Sequence, residues 1–318
     1  MAGRQPFTLG DLTVRAGQRR SLELPAGRLP TGTPVAMACE VVHGAKPGPT
    51  VWLSGAVHGD EIVGVEIIRQ VLERLEPREM SGTVLAVPVV NVFGFITQSR
   101  YLPDRRDLNR SFPGSAKGSQ AARLANLFVE NILGPSDVGI DFHAGSDDRT
   151  NLAHLRANLR DEETRRLAVA FAAPVVMHAR LIKGSLRETA VKRGKKILVF
   201  EGGEPRRFSR RAVETGVPGV LRVLGALGMI GESPLAPITP PLESRASKWV
   251  RAPRGGLLRL EVLLGERVAK GDRLGIITDP AARKGSVVKA STGGIILGHT
   301  VGPVVHPGEG LVHIAEVG

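Results

Sequence analysis

The sequence predicts an α/β domain built on a mixed sheet with flanking helices, followed by a small all-β module. Between Val51 and Leu227, short apolar runs alternate with amphipathic segments, which is typical of a sheet with parallel strands and helices on its faces. Residues 8–46 instead alternate apolar and polar side chains between Gly and Pro breaks, as short antiparallel strands do. Near the C-terminus, the segment that starts at Val250 is repeated from Val288, which predicts two similar β halves.

The pattern of apolar residues places the individual elements. Early strands are predicted at 12–14, 21–24 and 34–42, and the strands of the α/β region at 51–57, 83–90, 138–142, 174–177 and 197–200. Helices are predicted at 62–75, 119–133, 161–172, 186–192 and 210–227. The stretch 91–118 has no clear period, and a long loop inside a domain is usually functional or disordered.

These elements divide the chain into four parts. We predict an N-terminal β segment at 1–46 that packs on a catalytic domain at 47–230, a Pro-rich linker at 231–248 and a β-barrel-like module at 249–318. The repeat in the last part resembles the lipoyl and biotinyl hammerhead fold. The joint between its halves, 279–286, contains Lys284 but lacks the tight turn and apolar flanks of a carrier motif, so a structural module is favoured over a swinging-arm carrier.

Composition narrows the functional class. The 318 residues include a single cysteine, Cys39, which excludes an intrachain disulfide and a multi-cysteine metal cluster and suits a reducing compartment. Neither a signal peptide nor a membrane span is predicted, so we expect a soluble, cytoplasmic protein. The net charge is +12, but the basic runs lack the interleaved aromatics that stack on nucleic acid. A solvated basic surface or a small anionic substrate explains the charge better than a nucleic-acid partner.

Candidate metal ligands stand where two predicted strands end. His58 and Glu61 follow the 51–57 run, and His143 ends the 138–142 run. Ligands bind at the carboxyl ends of strands in α/β sheets. Two His and one Glu leave a fourth zinc position open, as in a catalytic site, although a strand end capped by a satisfied imidazole explains His143 as well. Asp141, on the same strand face, either orients His143 or faces another buried donor.

A candidate general base ends a third strand. Glu201 follows Phe200 directly and precedes two glycines, so its carboxylate has room to enter a pocket. Removing a proton from water, and returning it to a leaving group, requires such a carboxylate. Glu204 is the competing candidate, but it lies further into the loop, where solvation is expected.

The 91–118 loop supplies candidate substrate-binding groups. Asn109 and Arg110 offer an adjacent amide and guanidinium, which together can hold a carboxylate. Arg100, upstream in the loop, can polarise a carbonyl and stabilise an oxyanion.

Taken together, these motifs resemble a known family. His58-x-x-Glu61, Asp107-Leu-Asn-Arg110, Asp141-Phe-His143 and Glu201-Gly-Gly, in this order, are similar to motifs of the succinylglutamate desuccinylase/aspartoacylase family of zinc-dependent deacylases. The resemblance runs from about residue 47 to 227 and implies a zinc carboxypeptidase-like fold with one catalytic Zn²⁺. It implies that His58, Glu61 and His143 bind the metal and that Glu201 is the general acid/base. It also implies that Asn109 and Arg110 bind a carboxylate and that Arg100 stabilises the oxyanion.

The resulting prediction is an amidohydrolase that cleaves a carbon–nitrogen bond, other than a peptide bond, in a small anionic N-acyl amino acid or a related acyl amide. Arg149 either contacts an anionic group of that substrate or lies in a surface loop. The only tyrosine is Tyr101, so the tyrosine that these enzymes use late in the chain has no counterpart. The alternatives are a metallocarboxypeptidase acting on peptides and a non-catalytic binding protein with an enzyme-like fold. A homo-oligomer is compatible with the sequence.

Overall fold

A single twelve-stranded sheet runs through most of the molecule. The computed structural model describes residues 4–231, 239–281 and 284–317. In chain order the strands are β1 Phe7–Leu9, β2 Leu12–Val14, β3 Gln18–Arg28, β4 Pro34–His43, β5 Lys46–Ser54, β6 Ser81–Val87, β7 Val138–His143, β8 Arg149–Ala157, β9 Val175–His178, β10 Lys196–Gly203, β11 Leu242–Arg251, β12 Gly256–Leu260, β13 Arg267–Val268, β14 Arg273–Thr278, β15 Gly285–Lys289, β16 Gly294–Thr300, β17 Val304–Val305 and β18 Gly310–Val317.

Six α-helices connect the strands of the catalytic region. They are α1 Val63–Leu72, α2 Val92–Thr97, α3 Gln120–Phe128, α4 Glu162–Phe171, α5 Leu186–Lys192 and α6 Arg210–Ala226. A 3₁₀ turn covers Leu108–Arg110, and a π-helical turn, Val129–Leu133, extends α3. Five of the α-helices begin at a polar side chain that accepts a backbone N–H of the first turn, which satisfies a donor that the helix itself leaves free; these side chains are Asn91, Ser119, Asp161, Ser185 and Ser209.

Strand pairing brings the predicted site residues to one edge of the sheet. The order is β13-β16-β18-β11-β9-β8-β10-β7-β5-β6-β4-β3. Strands β6, β5, β7 and β10 are mutually parallel, so their carboxyl ends share an edge, and β8 runs antiparallel to β10 and starts at that same edge. His143 at the end of β7 is paired in register with Glu201 of β10.

Two hydrophobic layers cover the faces of this sheet. One contains the apolar faces of α1, α4 and α6, with Phe142, Phe171 and Phe200 at its centre. The other contains α3, α5 and the N-terminal strands, and it surrounds the fully buried Trp52. Burial of large apolar side chains on both faces explains the apolar run of Val51, Trp52 and Leu53 in β5.

The C-terminal strands extend the catalytic sheet and add a second one. Strands β12, β14, β15 and β17 form a four-stranded sheet, and β11, β13, β16 and β18 join the large sheet. Because β16 also pairs with β8, the strands β8, β9, β11, β18 and β16 close into a ring that spans the predicted domain boundary. The resemblance of this module to the lipoyl and biotinyl fold stays a prediction.

One sequence expectation needs correction, and one strand was not predicted. The predicted linker, 231–248, lies partly outside the described residues, at 232–238, but 242–248 are not linker: they belong to β11, which pairs with β9 and β18. The segment after His143 is not only a surface loop, because it contains β8. Hydrogen bonds to β10 and β9 hold this strand in the sheet despite its mixed polarity.

Every other predicted strand and helix is present, with ends that shift by up to five residues. The 91–118 stretch, which was predicted as a loop, includes the short helix α2 and the 3₁₀ turn.

Among the described residues, no helix combines the length and the apolar character needed to span a membrane.

Candidate active site

A cavity of about 210 Å³ opens where β5, β7 and β10 end. It is lined by all eight side chains that the sequence indicated, namely His58, Glu61, Arg100, Asn109, Arg110, His143, Arg149 and Glu201. They come from strand ends, from the 91–118 stretch and from the start of β8, so residues separated by up to 143 positions meet in one place.

Three of these side chains form a compact cluster of metal-ligand type. Nδ1 of His58 and Nδ1 of His143 each lie 2.8 Å from a different oxygen of the Glu61 carboxylate. One donor atom from each residue lies within 4.8 Å of the other two, and all three residues are buried. Two imidazoles and a carboxylate, converging in this way, are the donor set of an open divalent metal site.

The outer atoms of the two imidazoles face carboxylates. Nε2 of His143 is 2.9 Å from Asp141 Oδ2, and the Ser54 hydroxyl donates to the other Asp141 oxygen. Nε2 of His58 lies 3.3 Å from Asp107 Oδ1. A carboxylate behind a ligand histidine fixes the tautomer that leaves Nδ1 free for a metal, so a metal ion fits this cluster.

Electrostatics in the cluster favour the charged forms of its members. Burial alone would lower the pKa of His143, but the carboxylates of Asp141 and Glu61 raise it well above the ordinary value. Burial opposes ionisation of Glu61 as well, yet His58 and His143 hold its pKa well below the ordinary value. A divalent cation would take the place of the protons that the two imidazoles share with Glu61.

Arg100 reaches the edge of the same cluster. Its guanidinium donates to Asp107 through Nε at 3.1 Å and through Nη2 at 2.8 Å. The remaining nitrogen, Nη1, lies 3.2 Å from Nδ1 of His58 and 3.4 Å from Glu61 Oε1. The Asp107 contacts therefore fix a cation next to the atoms that face a metal.

Glu201 faces the cavity from β10 and is held by the neighbouring strand. Asn151 Nδ2 donates to Glu201 Oε2 at 3.2 Å, and Arg156 Nε lies 3.5 Å from Oε1. Both partners belong to β8, the strand that the sequence did not predict. Glu204, the competing candidate, pairs instead with Arg207 and does not line the cavity.

The Asn109–Arg110 pair is fixed by the start of α5. The Asn109 side-chain oxygen accepts the backbone N–H of Leu186 at 2.9 Å, so its amide N–H₂ remains available to a ligand. Gly184 allows the segment before α5 to approach the Asn109–Arg110 pair closely. It has φ +75°, and a Cβ there would lie 2.4 Å from the Arg110 carbonyl oxygen. The guanidinium of Arg110 is exposed at the cavity.

Sequence reasoning missed the most deeply buried arginine of the cavity. Arg187, in the first turn of α5, is 8% exposed, and its Nη1 has no hydrogen-bond partner among the described residues. Burial, together with the nearby positive charge of Arg156, lowers its pKa to about 10. A positively charged side chain is unfavourable near a helix N-terminus. The position of Arg187 at the start of the predicted helix 186–192 was therefore the feature of the sequence that could have indicated a functional role. With Arg110, Arg149 and Arg156, Arg187 makes the cavity strongly basic.

The C-terminal module forms one wall of the cavity. Trp249 of β11 lines it, with the Arg149 guanidinium 5.0 Å from the centre of the indole ring. His313 of β18 is parallel to the indole, with ring centres 4.8 Å apart. Arg149 is thus held between the module and the cavity, and it lies at the start of β8 rather than in a surface loop.

Comparison with known proteins agrees with this geometry. The catalytic-domain model of succinylglutamate desuccinylases and aspartoacylases matches residues 47–227. The N-alpha-acetyl-L-2,4-diaminobutyric acid deacetylase of Halomonas elongata is 31% identical over 283 residues, which cover 85% of this chain and 83% of the relative.

Solved structures have the same fold. A succinylglutamate desuccinylase/aspartoacylase from Rhodobacter sphaeroides superposes with a TM-score of 0.84 at 28% identity and covers 94% of this chain and 96% of its own. The product-bound ectoine utilization protein EutE (DoeB) from Ruegeria pomeroyi has a TM-score of 0.85 at 24% identity, covering 98% and 99%. The resemblance found in the sequence motifs is therefore confirmed, and the chain belongs to the succinylglutamate desuccinylase/aspartoacylase family.

Proposed function

We propose that this protein is a zinc-dependent deacylase that hydrolyses the amide bond of a small N-acylated amino acid. The observation that carries the proposal is the convergence of His58, Glu61 and His143 in one cavity with the carboxylate of Glu201. The printed name of the Halomonas elongata relative, a deacetylase of an N-acetylated amino acid, supports the same reaction.

Zinc is the metal that best suits the donor set. Two imidazole nitrogens and one carboxylate leave a coordination position for water or substrate, as in catalytic zinc sites, whereas Mg²⁺ and Ca²⁺ prefer all-oxygen ligands. When bound there, zinc would polarise the scissile carbonyl and lower the pKa of water. Asp141 and Asp107 would keep Nδ1 of each histidine directed at the ion.

Glu201 is the residue that moves the proton. Its carboxylate takes a proton from the attacking water and returns it to the nitrogen that leaves, so that the amine departs neutral. Asn151 and Arg156 hold the two carboxylate oxygens in the cavity. The guanidinium of Arg100, fixed by Asp107, stabilises the negative charge that develops on the carbonyl oxygen.

Further donors that line the cavity orient the substrate. The free amide N–H₂ of Asn109 and the guanidinium of Arg110 bind the α-carboxylate of the amino acid. The unpaired Nη1 of Arg187 offers a further buried donor for a negatively charged group. A buried guanidinium that has no carboxylate paired with it among the described residues is costly, so a bound anion would relieve that cost.

The size of the cavity favours a small substrate over a peptide. A volume of about 210 Å³ is below the range of about 300 to 1,000 Å³ that is typical of ligand pockets. Trp249 of the C-terminal module forms part of its wall. The metallocarboxypeptidase alternative is therefore less well supported.

The test is to measure zinc per chain and to assay the hydrolysis of N-acetyl and N-succinyl amino acids alongside short peptides. Glu201→Gln should keep its zinc and lose kcat by about 10²- to 10⁴-fold, because only the proton-transfer group is removed. Glu204→Gln, a neighbouring and equally conservative change, should behave as the wild type. Full activity of Glu201→Gln, or hydrolysis of peptides alone, would refute the proposal.

A further inference from the structure

A second cleft, of about 570 Å³, lies at the end of β8 that is remote from the catalytic cavity. It is lined by Asn158, Arg160, His178, Arg180 and Arg245, together with Ala179 and Leu181. None of these residues lines the catalytic cavity, and none carries a negative charge. The cleft is therefore a separate feature of the molecule.

Three different parts of the chain bring the arginines together. Arg160 follows β8 and Arg180 follows β9, and these two strands are parallel neighbours. Arg245 belongs to β11, at a bulge where Ser244 pairs with Val317 and Ala246 with Glu316. The extra residue of a bulge has no partner across the ladder, and bulges often redirect a side chain. Here the bulge adds a third arginine to the cleft.

The three guanidiniums have no carboxylate partner among the described residues. Within residues 4–231, 239–281 and 284–317, none of them forms an ion pair or a hydrogen bond with another residue. Arg100 and Arg156 of the catalytic cavity, by contrast, each have a carboxylate neighbour. Like charges placed together without such a neighbour repel one another and attract an anion.

The other polar side chains of the cleft also offer hydrogen-bond donors. The side-chain oxygen of Asn158 accepts the backbone N–H of Arg160 at 3.2 Å, which leaves the amide N–H₂ free. Nδ1 of His178 accepts the backbone N–H of Leu159 at 3.1 Å, so the proton of the neutral ring is on Nε2. Burial and the charges of Arg160 and Arg245 lower the pKa of His178, which keeps this tautomer neutral.

We propose that this cleft binds a phosphoryl-bearing small molecule. Five side chains from three segments present donors, and the acceptor atoms of Asn158 and His178 are already occupied. A phosphate dianion has three oxygens that accept donors from several directions, and arginine binds it through two parallel N–H groups. The cleft is larger than free phosphate needs, so a small phosphate ester fits better.

The cleft is also linked to the catalytic cavity. The backbone carbonyl of Arg180 accepts a hydrogen bond from Nη2 of Arg187, whose Nη1 lies unpaired beside the catalytic cavity. An anion that fixes Arg180 therefore acts on the segment that positions Arg187. The proposed site does not depend on the deacylase proposal, because binding can be measured without any turnover.

The experiment is a calorimetric titration of the full chain with glycerol 3-phosphate and, separately, with inorganic phosphate at constant ionic strength. The wild type should bind one ester per chain, and Arg160→Ala combined with Arg245→Ala should weaken binding by at least about tenfold. The matched control is Arg15→Ala with Arg20→Ala, which removes the same charge. Both arginines are exposed and have no side-chain partner among the described residues; Arg15 lies near the edge strand β3 and Arg20 lies on it. The control should bind as the wild type does.

Three outcomes would overturn the proposal. If both double variants weaken binding of the ester equally, the ester is attracted diffusely to a basic surface and does not bind at a site. Loss of binding in Arg110→Ala, with binding retained in Arg160→Ala/Arg245→Ala, would put the anion in the catalytic cavity. Saturable binding of a single-stranded oligonucleotide, with none of either phosphate probe, would indicate a nucleic-acid surface instead.

Discussion

Asn151 of β8 donates a hydrogen bond to the carboxylate of Glu201 in β10, with 3.2 Å between Asn151 Nδ2 and Glu201 Oε2. Asn151 is paired in turn with Gly298 of β16, a strand of the C-terminal module. The module therefore supports the proposed general base through a single intermediate residue. The C-terminal strands thus contact the residue that holds Glu201, besides forming a wall of the cavity.

Gly298→Ala should reduce catalysis without removing the metal. A Cβ at this position would lie 2.5 Å from Asn151 Oδ1 and 3.0 Å from the Thr150 carbonyl oxygen, so Asn151 must move. Misplacing a group that holds the base can cost up to about 10²-fold in kcat. Steady-state kinetics, with zinc content measured in parallel, would detect this effect.

Gly302→Ala is the control, since a Cβ there meets no atom within 4 Å. It should leave kcat unchanged. An unaltered kcat in Gly298→Ala as well would mean that the position of Asn151 does not matter to Glu201.

Asp141→Asn should weaken metal binding while the fold is kept. Asp141 accepts from Nε2 of His143 and from the Ser54 hydroxyl, so it sets the tautomer that presents Nδ1 to the metal. An amide of the same shape accepts less strongly, and loss of such an outer carboxylate typically costs about 10- to 100-fold in metal affinity. Competition with a zinc chelator would measure the change. Asp137→Asn, at the exposed start of the same strand region, should have no such effect.

The sequence predicted the parts of the site that lie at strand ends. His58, His143 and Glu201 each follow an apolar run, and parallel strands bring their carboxyl ends to a common edge. The local pattern of apolar residues did not indicate that β8 pairs with β10, because His154 and Arg156 are polar residues within a sheet. Only the alternation of Ala153, Leu155 and Ala157, all buried, marked this strand.

The remaining lining residues depend on contacts between distant segments. Trp249 enters the cavity because β11 joins β9, and Arg187 enters it because α5 packs beside the Asn109–Arg110 turn. The position of Arg187 near a helix N-terminus was unusual for a cation, but neither its neighbours nor those of Trp249 indicate which segments these residues contact. Candidate functional residues at the end of a single strand could thus be inferred from the sequence. The wall of the cavity is built from several elements, and identifying its residues required the structure.

Arg187→Met should raise KM for an N-acyl amino acid much more than for a neutral acyl amide. Methionine keeps most of the buried apolar contact but removes the unpaired donor that faces the cavity. Hydrogen bonds to charged groups contribute about 1.5 to 3 kcal/mol, so the expected rise in KM is roughly 10- to 100-fold. The two substrates are compared at fixed ionic strength. Arg211→Met, an exposed arginine on α6, is the control, and equal effects of Arg187→Met on both substrates would rule out a contact with the carboxylate.

His154 should make the folded state less stable in acid. It is fully buried, and burial together with the charge of Arg156 lowers its pKa to about 3, from an ordinary value of about 6.5. Between these two pH values the unfolded chain binds a proton that the folded chain does not, so the free energy of unfolding falls as pH drops below about 6.5. At pH 5 the loss from this one group is on the order of 2 kcal/mol.

The measurement is urea unfolding of the wild type and of His154→Leu at pH 8, 6.5 and 5. The variant loses the hydrogen bond from Nδ1 to the Leu152 carbonyl, so it can be less stable at pH 8, but its stability should depend less steeply on pH. His306→Gln, at an exposed position, should keep the pH dependence of the wild type. Loss of metal in acid affects all three proteins alike, so the difference in slope isolates His154. Identical slopes for the wild type and His154→Leu would show that this histidine does not bind its proton on unfolding.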